Sequence, residues 1–129
     1  MGERPPLSRG ETAVLKALWD IAKGSISEIF AAMPDDSTMD YSTVQTYVRR
    51  LETKGYVTAT RVGRNKVYRP GVRRSQVITE AVDEFLDRIF DGEMVPMVRH
   101  LVDNRRVTPE ELEVLTSLVE RLREEQNDE

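Results

Sequence analysis

At 129 residues, 39% hydrophobic and 33% charged, the chain has room for one domain or two small ones with thin cores, not for a large multidomain enzyme. With no cysteine, it excludes disulfides, zinc- or copper-thiolate sites and a cysteine nucleophile. The net charge of −4 conceals a split: residues 1–74 hold 13 Lys/Arg against 8 Asp/Glu, residues 75–129 hold 6 against 15, so a nucleic-acid partner is not excluded by the mean.

The elements follow in chain order. Ser8-Arg9-Gly10-Glu11 reads as a capping box opening a helix whose apolar positions are Val14, Leu15, Leu18, Trp19 and Ala22, with Gly24 as its end. Ser25-Ile26-Ser27-Glu28 offers a second cap for a short apolar segment, Ile29, Phe30, Ala32 and Met33, stopped by Pro34. A polar loop leads to Asp40, an N-cap, and to a third helix running to about Lys54, with Gly55 as its left-handed C-cap. Residues 56–62 and 66–69 are rich in β-branched and aromatic side chains around Gly63-Arg64-Asn65, which predicts a hairpin closed by Pro70-Gly71.

Beyond residue 73 the sequence reads as helices alone. Val77, Ile78, Ala81, Val82, Phe85, Leu86, Ile89 and Phe90 form a wide apolar stripe ending at Gly92. Pro96 suits a helix start ahead of Met97, Val98, Leu101 and Val102. Thr108-Pro109-Glu110-Glu111 combines an N-cap, a proline at the first helical position and a capping-box glutamate. Leu112, Leu115, Leu118, Val119 and Leu122 make that helix's seam, and Glu124 to Glu129 is expected to be a frayed acidic tail.

Helix, short helix, helix and hairpin is the layout of a winged helix-turn-helix, whose later helix enters the major groove. At about 100° per residue, Val44, Tyr47, Val48 and Leu51 share one arc of the third helix. Ser42, Gln45, Thr46, Arg49 and Thr53 lie opposite, flanked by Thr43 and Arg50, with no carboxylate among them. Gln can bond adenine bidentately, Ser and Thr can serve a base edge or a phosphate, and Arg49 and Arg50 suit phosphates. Arg61, Arg64, Lys66 and Arg69 gather positive charge on the hairpin, Arg73 and Arg74 follow, and residues 53–79 contain no Asp or Glu.

The string Asp40-Tyr41-Ser42-Thr43-Val44-Gln45-Thr46, then Arg49-Arg50-Leu51, Lys54-Gly55 and Gly63-Arg64 to Tyr68-Arg69-Pro70, resembles the penicillinase-repressor family. These are bacterial regulators of beta-lactamase, methicillin-resistance and copper-transport genes. Leu15-Lys16-Ala17-Leu18-Trp19 is similar to that family's first helix, and Val107 to Leu122 to its last. The resemblance implies a homodimeric repressor on an inverted repeat with TACA/TGTA-type half-sites. It places Ser42, Thr43, Gln45 and Thr46 toward the groove and Arg64 at the wing tip. The copper-responsive branch uses C-terminal cysteines as soft ligands, so copper sensing is excluded here. The beta-lactamase branch is cut at an Asn-Phe bond in the penultimate helix, where this chain has His100-Leu101; a sensor or protease partner stays unspecified.

The expectation is therefore a mostly α protein with a small β-hairpin. Residues 1–72 would form the winged-helix DNA-binding domain and residues 73–129 a helical dimerisation domain. Double-stranded DNA would be held by Ser42, Thr43, Gln45, Thr46, Arg49, Arg50, Arg64 and Lys66. The homodimer would be held by Val77, Ile78, Val82, Phe85, Leu86, Ile89, Leu115, Leu118 and Leu122. No catalytic, metal or cofactor site is expected: His100 is the only histidine, Asp35-Asp36 reads as a solvated turn, and Gly63-Arg64-Asn65 lacks phosphate-loop spacing. With a polar start at Met1 to Pro6 and no run of about 18 apolar residues, neither a secretory signal nor a membrane span is expected, and the expected compartment is the cytoplasm. The rival reading is a winged-helix protein-interaction module, which would need an exposed apolar patch on the third helix.

Overall fold

Local chemistry sets the element boundaries in a computed structural model of the chain, which describes residues 4–128. The Ser8 hydroxyl accepts from the Glu11 amide at 3.2 Å while the Ser8 amide donates to the Glu11 carboxylate at 2.8 Å, so both halves of the capping box start α1, Arg9–Ile21. The same reciprocal pair, Ser25 and Glu28, starts α2, Ile26–Ala31. Asp40 accepts from the Thr43 amide at 2.9 Å and starts α3, Tyr41–Lys54. Gly55 ends α3 in the left-handed region, at φ 88° and ψ 14°.

The hairpin pairs β1, Val57–Val62, with β2, Asn65–Pro70, in antiparallel register from Val57 opposite Pro70 to Val62 opposite Asn65. Asn65 therefore belongs to a strand, and the turn is the two residues Gly63-Arg64. Gly63 sits at φ +64° and Arg64 has no positive φ, the pattern of a turn that needs glycine first.

Gly24 does not end α1. The helix closes at Ile21, with Ala22 at φ 72° as its cap, and Gly24 instead pairs with Tyr68 by two backbone hydrogen bonds of 3.0 and 2.8 Å. A Cβ there would press on Ile21 at 2.9 Å and Glu28 at 3.1 Å, so close approach explains this glycine. The bridge adds a one-residue third strand along β2.

The chain divides into two compact units, Met1–Thr79 and Glu80–Glu129. The first buries Val14, Leu15, Leu18, Ile29, Val44, Val48, Leu51, Tyr56, Val57 and Tyr68 among α1, α2, α3 and the hairpin. It is a winged helix-turn-helix. Trp19 Nε1 donates to the Val72 carbonyl at 3.1 Å, and Val77 packs against the same core, so the unit extends past the hairpin into the next helix.

One charged side chain lies inside this core. Glu11 is 1% exposed, and its carboxylate accepts from Lys54 Nζ at 2.6 Å; Lys54 also donates to the Pro6 carbonyl at 2.9 Å. The ends of α1 and α3 are pinned together. Burial alone would push the Glu11 pKa up, but the Lys54 bond and charge and the Ser8 amide and hydroxyl outweigh it, and the net shift is downward. A depressed folded pKa means the pair's contribution is complete above the ordinary glutamate value and is lost as pH falls through the lower folded value. Lys54→Met should leave a buried carboxylate unpaired and lower unfolding stability by about 3 kcal/mol at neutral pH, measured by urea titration. The variant should also lose less stability on acidification than wild type, since its Glu11 lacks the Lys54 bond and charge that help lower its pKa.

The second unit holds most of α4, Arg74–Phe90, then α5, Met94–Asn104, and α6, Pro109–Asn127. Helix α5 starts two residues before Pro96, with Glu93 as an N-cap that makes no side-chain bond. Proline is tolerated there because first-turn amides have no intrahelical acceptor. Thr108 and Glu111 complete the expected capping box of α6. The expected fraying from Glu124 is not found: α6 continues to Asn127 through strong helix formers and the pairs Arg121–Glu125 at 3.8 Å and Arg123–Glu120 at 3.3 Å. Glu129 lies outside the described residues, as do Met1 to Glu3 of the polar start.

Candidate nucleic-acid interface

Packing orients α3. Val44, Val48 and Leu51 are buried and Tyr47 is half-buried, which fixes the helix's rotation about its axis. The opposite arc is then solvent-facing: Ser42, Thr46, Arg49, Arg50 and Thr53 are exposed, with Thr43 and Gln45 half-exposed.

Hydrogen bonds set what the hydroxyls can offer. Ser42 Oγ donates to Asp40 at 3.0 Å, and Thr46 Oγ1 donates to the Ser42 carbonyl at 3.0 Å. Each hydroxyl has one proton, so in this state both present acceptor lone pairs outward, and Thr46 adds its methyl group. These suit the amino groups of adenine or cytosine and the thymine methyl. The Thr43 amide first, then the Thr43 and Ser42 hydroxyls, hold the Asp40 pKa below its ordinary value, so the cap stays ionised at neutral pH.

The hairpin carries an unbalanced charge. Arg61 stands directly across from Lys66 in the register, and like charges directly opposite are destabilising in a sheet. Arg64 occupies the turn, and Arg69 is exposed on β2. Among the described residues, no carboxylate pairs with Arg49, Arg50, Arg61, Arg64, Lys66 or Arg69. A folded domain keeps such a cluster stable most readily when a polyanion supplies the missing charge.

The penicillinase repressor family matches residues 7–121. The chain belongs to that family. It is thus a DNA-binding transcriptional repressor of a bacterial type and not an enzyme. A penicillinase repressor from Bacillus licheniformis is 29% identical over 120 residues, covering 93% of this chain and 94% of its own. The solution structure of the DNA binding domain of the repressor BlaI is 31% identical, with a TM-score of 0.50, over 58% of this chain and 92% of that domain.

In this repressor the residues expected at the dimer interface sit differently from one another. Ile78, Val82, Phe85, Ile89, Leu115, Leu118 and Leu122 are exposed, from 39% for Leu118 to 53% for Ile78 and Ile89, and Leu86 is half-exposed. Val77 is the departure: it packs against the N-terminal core, because α4 starts within the first unit. Neither α4, α5 nor α6 has a buried residue. Sequence reasoning passed over Lys54, which looks like another phosphate contact and is drawn to Glu11, and Tyr47, which looks like ordinary core. Lys54 has no local sequence signal, since Glu11 lies on α1; Tyr47 faces Gly10 of α1, and its one local signal is Arg50, three residues along α3. Among the described residues, no helix is long and apolar enough to cross a membrane.

Proposed function

We propose that this repressor acts in the cytoplasm as a homodimer on an inverted-repeat operator, with α3 in the major groove and the hairpin on the flanking backbone. Gln45 and Thr46 read bases, with Ser42 and Thr43 beside them near the helix N-terminus. Arg49, Arg50, Arg64 and Lys66 bind phosphates, fixing register and strength. Residues 1–72 form the DNA-binding part, residues 73–129 join two protomers, and occupancy of a promoter excludes polymerase. The observation that carries this reading is the outward set Ser42, Gln45, Thr46, Arg49 and Arg50 of α3, with no carboxylate among them, beside a wing whose opposed cations have no carboxylate partner among the described residues. Support comes also from the related domain, described as the DNA binding domain of a repressor. The net −9 of residues 75–129 keeps that half off DNA. A protein-docking use of α3 is disfavoured, because its outward arc is polar and cationic.

Binding-site selection tests the assignment. Gln45→Ala should relax preference at one position of each half-site, a cost of about 1–3 kcal/mol there, while Arg50→Ala weakens all sequences alike. A motif identical to that of wild type after Gln45→Ala sinks the recognition-helix reading.

A further inference from the structure

Tyr47 is the one residue of the inward arc of α3 that the core leaves half-exposed. Its ring lies against Gly10 in the first turn of α1. A Cβ on Gly10 would overlap the ring and stand 2.6 Å from the Tyr47 Oη, far inside van der Waals contact. Gly10 has no positive φ, and helix propensity disfavours glycine within α1, so neither backbone freedom nor helix stability accounts for it. Room for the phenol does.

The same ring carries a cation. The Arg50 guanidinium carbon lies 5.5 Å from the Tyr47 centroid, inside the range of about 6 Å for a cation–π contact. Arg50 is exposed on α3 and has no carboxylate partner among the described residues. An arginine held in one place loses less freedom when it meets a phosphate.

We propose that Gly10 and Tyr47 form a seat that positions Arg50 for its DNA phosphate: the missing side chain admits the ring, and the ring holds the guanidinium. Tyr47 is a positioning residue, and Gly10 acts through it. This rests on the phosphate contact proposed above for Arg50, and the experiment separates the two.

Full-length Gly10→Ala, Tyr47→Leu, Tyr47→Phe and Arg50→Ala proteins are titrated with operator and random duplex across a salt series, each with a thermal melt. Gly10→Ala and Tyr47→Leu should weaken both duplexes by about 4- to 25-fold for a dimer, from roughly two- to fivefold per seat. Both should lower the salt slope and leave base preference unchanged. Tyr47→Phe keeps the ring and should bind near wild type, which a purely structural loss at Tyr47→Leu would not predict if the two melt alike. In an Arg50→Ala background, the Gly10→Ala effect should vanish. If Gly10→Ala does not fold, the comparison of Tyr47→Leu with Tyr47→Phe decides. Should Arg50→Ala itself change neither affinity nor slope, the phosphate contact fails and the seat with it. Should Arg50→Ala weaken binding while Gly10→Ala and Tyr47→Leu bind as wild type, or keep their full effects without Arg50, the seat is overturned and the phosphate contact stands.

Discussion

Operator affinity should fall by about 10³–10⁵ between roughly 50 and 200 mM salt, the response of a protein that neutralises about 6–10 phosphates. Arg49, Arg50, Arg64 and Lys66 from each of two protomers supply up to that many cations, and none has a carboxylate to leave among the described residues. Counterions released from DNA then drive binding without an opposing cost of broken ion pairs in the protein. Arg64 occupies the turn of the hairpin, where truncation disturbs no buried contact. Arg64→Ala should therefore lower both the affinity and the slope of log K against log salt, by about one per phosphate lost, and spare base preference. Lys54 makes a control, since its ammonium is occupied by Glu11 at 2.6 Å and should add little to the slope. A flat salt response in a filter-binding titration would exclude the phosphate-clamp reading for the whole cationic set.

What the sequence discloses and what it hides divide by range. Every cap that depends on residues three apart is legible: Ser8 with Glu11, Ser25 with Glu28, Thr108 with Glu111, and Asp40 with Thr43. The inward arc of α3 is legible too, because one helical period orders it. Contacts between distant elements are not. Glu11 looks like a capping glutamate and no more, yet it is also the buried partner of Lys54, which lies 43 residues away. Gly24 looks like a helix stop because glycine commonly is one, while its actual use is close backbone pairing with Tyr68. Val77 reads as the start of an apolar stripe because α4 is periodic throughout, and no periodicity records that its first turns pack on another core. Within the proposed binding surface the residue types are legible, whereas the hydroxyl directions of Ser42 and Thr46 and the contact of Arg50 with the Tyr47 ring are set by the folded backbone and rotamers.

Phe85→Glu should split the proposed homodimer, raising its dissociation constant by about 10²–10⁴ as two copies of a side chain worth roughly 1.5–3 kcal/mol each are withdrawn from the interface. The expectation starts from what one chain fails to cover. Phe85 is 43% exposed although its ring touches Phe90, at 5.9 Å between centroids. Val82 and Ile89 flank it on α4, Leu115, Leu118 and Leu122 line α6, and no residue of these helices is buried within the chain. Helices with apolar stripes and no buried residue are stable only when another surface covers them. A second copy is the partner that an operator with two-fold symmetry requires, because it brings two α3 helices to half-sites one DNA turn apart or a multiple of it. Phe85→Glu adds two carboxylates to that seam in a half that is already acidic, so the charge cost should add to the lost burial. The first unit should keep its fold, since Phe85 lies beyond Thr79 and none of the first unit's core includes it. A fragment ending at Thr79, which retains the Val72 and Val77 contacts, should be a monomer that binds a single half-site weakly. Sedimentation velocity settles the matter: wild type should run as a dimer at micromolar concentration and Phe85→Glu as a monomer with an unchanged melt of its N-terminal unit. Wild-type protein sedimenting as a monomer would remove both the dimer and the paired half-sites that depend on it.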